Sequence, residues 1–170
     1  MAKKWTKELY QNDRTGGIDI ADELINNMRE QDMLDLIASG GDVVFEICGS
    51  LQGCKESYVY RGENGELLCI MGISGYIPEA AGRCVYMLGT NAINEFSYYK
   101  SLLVSEARRV IGEWVKKYGI IFNAVNIENE KSQRWLTRLG AVWLPEKIKT
   151  DKGTFLQFII TEEGFKKCVV

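Results

Sequence analysis

The stretch from Asn129 to Ala141, N-E-K-S-Q-R-W-L-T-R-L-G-A, has the composition of a complete short helix. Asn129 is a good N-cap, because its side-chain oxygen can accept a hydrogen bond from a backbone N–H of the first turn. Glu130 then places negative charge at the positive end of the helix dipole. Gly140 can adopt the left-handed conformation that ends a helix. Spacing of three and four residues gives the helix one face, formed by Ser132, Trp135, Leu136 and Leu139.

The segments before and after this helix are both predicted to be strands. The run from Ile120 to Asn126 is short and apolar, which favours a buried strand. A second strand is predicted from Ala141 to Lys149. After the turn at residues 150–153, an alternating strand from Thr154 to Thr161 is predicted to pair with it as a hairpin.

The middle of the chain predicts a three-stranded meander and a long helix. Strands are expected at Ser57–Arg61 and Glu66–Ser74, since the Asn64-Gly65 pair between them suits a tight turn. A loop at 75–82 leads to a third strand, Arg83–Thr90. The long helix should run from Ser97 to Tyr118. Within it, Gly112 is unfavourable by about 1 kcal/mol relative to alanine, which indicates a close approach by another group.

The first third of the chain predicts an early strand and three helices. The strand covers residues 4–10, and the first helix begins at Ile18. A second helix is expected from Gln31 to Ala38, with Asp32 as its cap. Residues 42–54 are ambiguous, because β-branched residues favour a strand whereas the apolar spacing favours a helix. The helix is the preferred interpretation, since Asp42 is a credible N-cap.

This order of elements predicts one α+β domain covering residues 1–170. Its sheet should be mixed and mostly antiparallel, with helices packed against it. The strands before and after the long helix should be parallel neighbours joined by a right-handed crossover.

Composition excludes several classes of function. The 170 residues carry a net charge of −2 and a pI near 5.4, which gives no general attraction to nucleic acid or to an anionic membrane. No apolar run reaches the ~20 residues that a bilayer span needs, and no secretory signal opens the chain. We therefore expect a cytoplasmic protein.

The cysteines and histidines limit the chemistry further. Five cysteines occur without a C-x-x-C pair, which is typical of reduced thiols in a cytosolic protein. The sequence has no histidine, so neither a Ser-His-Asp triad nor an imidazole base is available, and no metal site is expected.

The helix motif N-x-x-S-x-x-W-L-x-x-L-G-A, placed behind a buried strand, resembles the fourth helix of the GNAT N-acetyltransferases. The resemblance runs from about Ala21 to the end of the chain. It is similar in particular to a divergent tailed-phage branch that includes small internal virion proteins of podophages. In that branch an Asn on the strand precedes the capping Asn by six residues, as Asn123 precedes Asn129 here.

The resemblance implies a GNAT-like fold whose parallel strands splay apart, with acetyl-CoA as co-substrate and an amine as acceptor. The gap would be lined by residues 87–90 and 123–126, and its backbone N–H groups would polarise the thioester carbonyl. Ser97 and Lys100, where the long helix begins, would receive the pyrophosphate. The implied cofactor-binding residues are Met87, Leu88, Gly89, Thr90, Ser97, Lys100, Asn123, Asn129 and Ser132.

Two departures from the family pattern bear on activity. The glycine-rich loop Q/R-x-x-G-x-G/A is absent, since residues 96–101 read F-S-Y-Y-K-S. Leu136 stands where many of these enzymes have a tyrosine that protonates the leaving thiolate. Glu128 and Glu95 are candidate bases, and Tyr98 is a candidate acid.

Two functions remain open from the sequence. One is an acyl-CoA-dependent N-acyltransferase acting by direct amine attack without a metal. The other is a phage protein that keeps the fold without catalysis and serves as a virion component or binds host proteins. The missing glycine loop favours the second function, whereas the Asn129 helix fits both.

Overall fold

The computed structural model describes residues 5–11, 14–75, 77–78 and 80–168. Lys4, at the start of the predicted first strand, and positions 76 and 79 of the predicted loop lie outside the described residues. Seven strands are present: β1 (Trp5–Leu9), β2 (Cys54–Gly62), β3 (Leu67–Ser74), β4 (Arg83–Gly89), β5 (Ile121–Asn126), β6 (Val142–Lys149) and β7 (Thr154–Ile160). The α-helices are α1 (Ile18–Asn26), α2 (Glu30–Ala38), α3 (Val43–Gln52), α4 (Ser97–Tyr118), α5 (Glu130–Arg138) and α6 (Glu162–Cys168), and a 3₁₀ turn covers Asn91–Asn94.

The strands form one sheet in the order β1-β2-β3-β4-β5-β7-β6. Every neighbouring pair in this sheet is antiparallel except β4 and β5, which are parallel. The predicted α+β class, the meander, the crossover pair and the final hairpin are therefore confirmed.

The sheet separates two hydrophobic clusters. Helices α4 and α5 supply Leu103, Trp114 and Leu136 to the larger cluster. Helices α1 and α3 supply Leu24 and Ile47 to the smaller cluster on the opposite face. The chain thus has a helical layer on each side of the sheet, and the open end of the β4–β5 pair lies between those layers.

The ambiguous segment at residues 42–54 is mostly a helix, as preferred. Its N-cap is Asp42, whose side chain accepts a hydrogen bond from the Phe45 N–H at 2.9 Å. The predicted cap of α2 was wrong. The N-cap position belongs to Arg29, and Asp32 lies inside the first turn. A carboxylate in the first turn suits the helix dipole, which is why the sequence did not distinguish the two positions.

The sequence did not predict α6, which packs on α4. A Cβ added at Gly112 would lie 2.8 Å from Cε1 of Phe165 in α6, so the predicted close approach at Gly112 is confirmed. Gly140 has φ of +87° as expected, and its position would place a Cβ 2.5 Å from the Gly164 carbonyl oxygen. None of the described helices combines the length and the apolar character needed to cross a bilayer.

Candidate functional site

The β4–β5 pair opens into a gap after two residue pairs. Arg83 pairs with Ile121 and Cys84 with Phe122, and the ladder between the strands stops there. Beyond that point β4 remains paired with β3, and β5 remains paired with β7. The strands therefore splay, as the resemblance implied, between residues 85–89 on one side and 123–126 on the other.

Asn123 lies at the vertex of this gap. Continuing the parallel register would bring the Ala124 N–H to the Val85 carbonyl. Instead, the Asn123 side-chain amide donates to the Val85 oxygen, and its Oδ1 accepts from the Ala124 N–H at 2.7 Å. The carboxamide is thus inserted where a ladder hydrogen bond would form, so it satisfies both strands while holding them apart.

Alternate residues of β4 turn their backbone groups into the gap. The Thr90 N–H donates to the Leu68 oxygen of β3, so Thr90 and Leu88 face β3. Val85, Met87 and Gly89 therefore face the gap. Of the four predicted positions at residues 87–90, Met87 and Gly89 direct their backbone groups into the gap, whereas Leu88 and Thr90 do not.

Helix α2 covers the outer end of the gap. The Gly89 N–H donates to Oδ2 of Asp32 at 2.7 Å, and the Gly89 oxygen accepts from the Arg29 N–H at 3.0 Å. Arg29 also binds the Asp32 carboxylate, with a shortest N–O distance of 2.7 Å. Both gap-facing groups of Gly89 are therefore taken by the protein itself.

The same helix reaches the far side of the gap through Asp35. Oδ2 of Asp35 accepts from the buried Asn129 side chain at 2.8 Å, and Oδ1 accepts from Gln31 at 3.1 Å. Burial raises the pKa of Asp35, and the two donated hydrogen bonds oppose that rise. Asn129 also caps α5 as predicted, because its Oδ1 accepts from the Ser132 N–H at 3.1 Å.

The start of α4 has no glycine loop and leaves its N-terminus uncapped by a side chain. No acidic residue lies in its first turn. Ser97 and Lys100 are exposed there, as an anion site requires. Tyr99 turns inward, where its hydroxyl accepts from the Glu63 N–H and donates to Glu66, each at 2.9 Å. The 3₁₀ turn at Asn91–Asn94 and the inward Tyr99 side chain therefore flank the start of α4.

The candidate acid and bases lie outside the gap vertex. Glu128 is exposed after β5, and its N–H donates to Oδ1 of Asn126 at 2.9 Å. Glu95 is exposed at the end of the 3₁₀ turn. Tyr98 stacks on Phe96 with ring centroids 5.5 Å apart. The structure does not bring these three side chains together, and Leu136 is buried in the core.

Sequence reasoning missed Arg29, Asp32 and Asp35 as residues of this region. Their partners, Gly89 and Asn129, lie far away along the chain, so no local pattern marked them. The described part of the chain holds no cluster of three or more His, Cys, Asp or Glu side chains arranged for a metal ion. One cavity of about 390 Å³ is lined by α3 and by Cys84 and Tyr86 of β4, and another of about 300 Å³ lies between α4 and α6.

No family model matches the sequence, and no curated protein matches it. Solved structures do match the fold. A spermidine N-acetyltransferase from Vibrio cholerae, in complex with CoA and spermine, has a TM-score of 0.62 at 11% identity, covering 96% of this chain and 98% of that one. An uncharacterized protein from Bacillus halodurans has a TM-score of 0.61 at 12% identity, covering 96% and 87% of the two chains. A protein provisionally named a phosphinothricin N-acetyltransferase has a TM-score of 0.60 at 15% identity, covering 91% and 96%. The chain thus has the fold of the GNAT acetyltransferases.

Proposed function

We propose that this chain is an acyl-CoA-dependent N-acyltransferase that moves an acetyl group from acetyl-CoA to an amine. The observation that carries the proposal is the splayed β4–β5 pair, held open at its vertex by Asn123. The Asn123 amide ends the hydrogen-bond ladder between two strands inside the sheet. Beyond that point each strand has an edge that faces the gap, to which an extended ligand can hydrogen-bond. The fold shared with a CoA-bound spermidine N-acetyltransferase supports the same assignment.

The residues fit acetyl-CoA in part. Met87 faces the gap, and its N–H is the candidate donor to the oxyanion that forms when an amine attacks a thioester. Ser97, Lys100 and the first N–H groups of α4 would hold the pyrophosphate. Asn129 and Ser132 would shape the site from α5, as the resemblance implies. When bound, acetyl-CoA supplies the activated acyl group.

The proton transfers need one base and one acid. Glu128 or Glu95 would take the proton from the acceptor ammonium, since each carboxylate is exposed on a connecting segment. Tyr98 would protonate the departing thiolate, because Leu136 has no proton to give. Direct attack requires neither a metal nor a covalent enzyme intermediate.

Titration of acetyl-CoA by calorimetry tests the proposal. We expect binding that Lys100→Glu weakens at least tenfold, because a carboxylate would replace the cation at the pyrophosphate site. Lys55→Glu, an identical charge change on an exposed β2 residue, serves as the matched control and should bind like wild type. Absence of binding at millimolar acetyl-CoA in every variant would contradict the enzyme.

A second candidate function is a phage-encoded protein of the same fold that has lost catalysis. It would act in the host cytoplasm or in the virion, binding host or virion proteins. Two observations favour it: the occupied Gly89 backbone and the glycine-free start of α4. Acetyl-CoA turnover with any amine in a panel of polyamines, amino acids and peptides would exclude it.

A further inference from the structure

The residues just before α2 form an isolated β-bridge just after the outer end of β4. Met28 and Thr90 make an antiparallel bridge. The bridge is flanked by two backbone hydrogen bonds, from Arg29 N–H to the Gly89 oxygen at 3.0 Å and from Asn91 N–H to the Asn27 oxygen at 2.8 Å. The Asn91 side chain adds a third bond by donating to the Met28 oxygen at 3.2 Å. We call residues 27–32 the α2 clasp.

The clasp uses the edge of β4 that a ligand in the gap would need. The Thr90 N–H donates to the Leu68 oxygen of β3, so the backbone groups of Thr90 face β3. Neighbouring residues of a strand direct their backbone groups to opposite sides, so those of Gly89 face the clasp. Arg29 takes the Gly89 oxygen and Asp32 takes the Gly89 N–H. An extended ligand adding beside β4 would form these same two bonds, one as donor and one as acceptor.

Asp32 forms the strongest hydrogen bonds of the clasp. It is 7% exposed, and its carboxylate accepts both the Gly89 N–H and the Arg29 guanidinium. Hydrogen bonds to a charged group are roughly twice as strong as neutral ones. Asp35 anchors the same helix across the gap by accepting from Asn129 at 2.8 Å. Helix α2 is therefore fixed to β4 through Asp32 and to the N-cap of α5 through Asp35.

We infer that the α2 clasp is an autoinhibitory contact, which occupies the outer edge of the gap and must leave Gly89 before acyl-CoA can bind along β4. The inference rests on the proposed function, since it assigns a regulation to the same site. Release breaks no covalent bond, and the ligand replaces the two hydrogen bonds of Gly89 one for one. The apparent affinity for the ligand equals the intrinsic affinity multiplied by the fraction of molecules whose clasp is open.

Calorimetry with acetyl-CoA on four proteins tests this contact. Asp32→Ala removes the carboxylate from Gly89 and should bind acetyl-CoA about tenfold more tightly than wild type, or better. Asp32→Asn keeps an oxygen that can accept the Gly89 N–H, so its gain should be smaller. Glu30→Ala removes an exposed carboxylate from the same turn and should match wild type.

The outcomes separate the inference from the proposed function. If wild type binds acetyl-CoA and Asp32→Ala binds no more tightly, the clasp is not inhibitory and the enzyme proposal stands. If none of the four proteins binds, both proposals fail. Binding by wild type together with tighter binding by Asp32→Ala supports both proposals.

If Asp32→Ala does not fold, an engineered disulfide that holds the clasp closed provides a second test. Met28 and Thr90 are a non-hydrogen-bonded antiparallel pair, whose Cα atoms approach to about 4.5 Å, a spacing that a disulfide can bridge. The oxidised Met28→Cys/Thr90→Cys protein should lose acetyl-CoA binding, and reduction should restore it. Equal binding by the oxidised and reduced forms would overturn the inference.

Discussion

Two asparagines show how single side chains shape this molecule. Asn123 replaces a ladder hydrogen bond at the gap vertex. Asn129 caps α5 with its oxygen and donates to Asp35 with its nitrogen. The cap was predictable from the sequence, because capping is local. The contact with Asp35 was not, since it joins residues 94 positions apart.

Substitution at Asn129 separates its two roles. Asn129→Ala should lower the free energy of unfolding by about 1 kcal/mol through the lost cap, and by a further amount because half-buried Asp35 loses a donor. Asn129→Ser keeps a capping oxygen, so it should recover about 1 kcal/mol relative to Asn129→Ala. Urea denaturation measures both variants. Wild-type stability in Asn129→Ala would contradict the assigned cap.

Glu56 gives a prediction about pH. Burial alone would raise the pKa of Glu56, but hydrogen bonds donated by Lys117, Tyr118, Trp114 and Tyr58 outweigh it and lower the pKa from 4.5 to about 2. The folded state therefore binds this proton more weakly than the unfolded state does. The stabilisation by Glu56 should be fully present above pH 4.5 and disappear as the pH falls toward 2.

Thermal melts of Glu56→Gln between pH 7 and pH 2 test this linkage. The difference in stability from wild type should shrink as the pH falls through that window. Exposed Glu8→Gln is the control and should show no such trend. Some acid sensitivity should persist in Glu56→Gln, because the pKa of Glu106 is also lowered to about 2 by its bonds to Arg109 and Lys7. A constant difference across the range would refute the role of Glu56.

At the scale of elements, α5 and α6 show what local sequence reveals. Helix α5 carries its own cap and its own left-handed stop, and was predicted almost to its ends. Helix α6 has seven residues, none of them buried, and packs on α4 through Phe165. A helix this short depends on tertiary contact, which a local pattern cannot show.

Substitution of Gly112 tests the contact between α4 and Phe165 of α6. In an isolated helix Gly112→Ala should be stabilising by about 1 kcal/mol. Here it should be destabilising, because the new Cβ would meet the Phe165 ring at 2.8 Å. In a Phe165→Ala background the same substitution should become stabilising. Chemical denaturation of the four proteins gives the cycle, and a stabilising Gly112→Ala in the wild-type background would show that α6 does not pack there.

At the scale of the whole molecule, element order predicted the fold, but not the closure of the gap. Hydrophobic periods and turn residues specified the meander, the crossover and the final hairpin, because each depends on short segments. The α2 clasp depends on Asp32 meeting Gly89, which lies 57 residues along the chain. No spacing rule marks such a pair, so the sequence predicted the gap but not the helix that covers its outer end.

Acyl-CoA binding between β4 and β5 underlies both the proposed enzyme and the inferred clasp. Amide chemical shifts of the isotope-labelled protein, recorded with increasing acetyl-CoA, test it most directly. We expect the largest changes at Met87 and Gly89 on β4 and at Ala124 on β5, with smaller changes where α4 begins at Ser97. Shifts confined to the cavities beside α3 or between α4 and α6, or no shifts at millimolar acetyl-CoA, would contradict it.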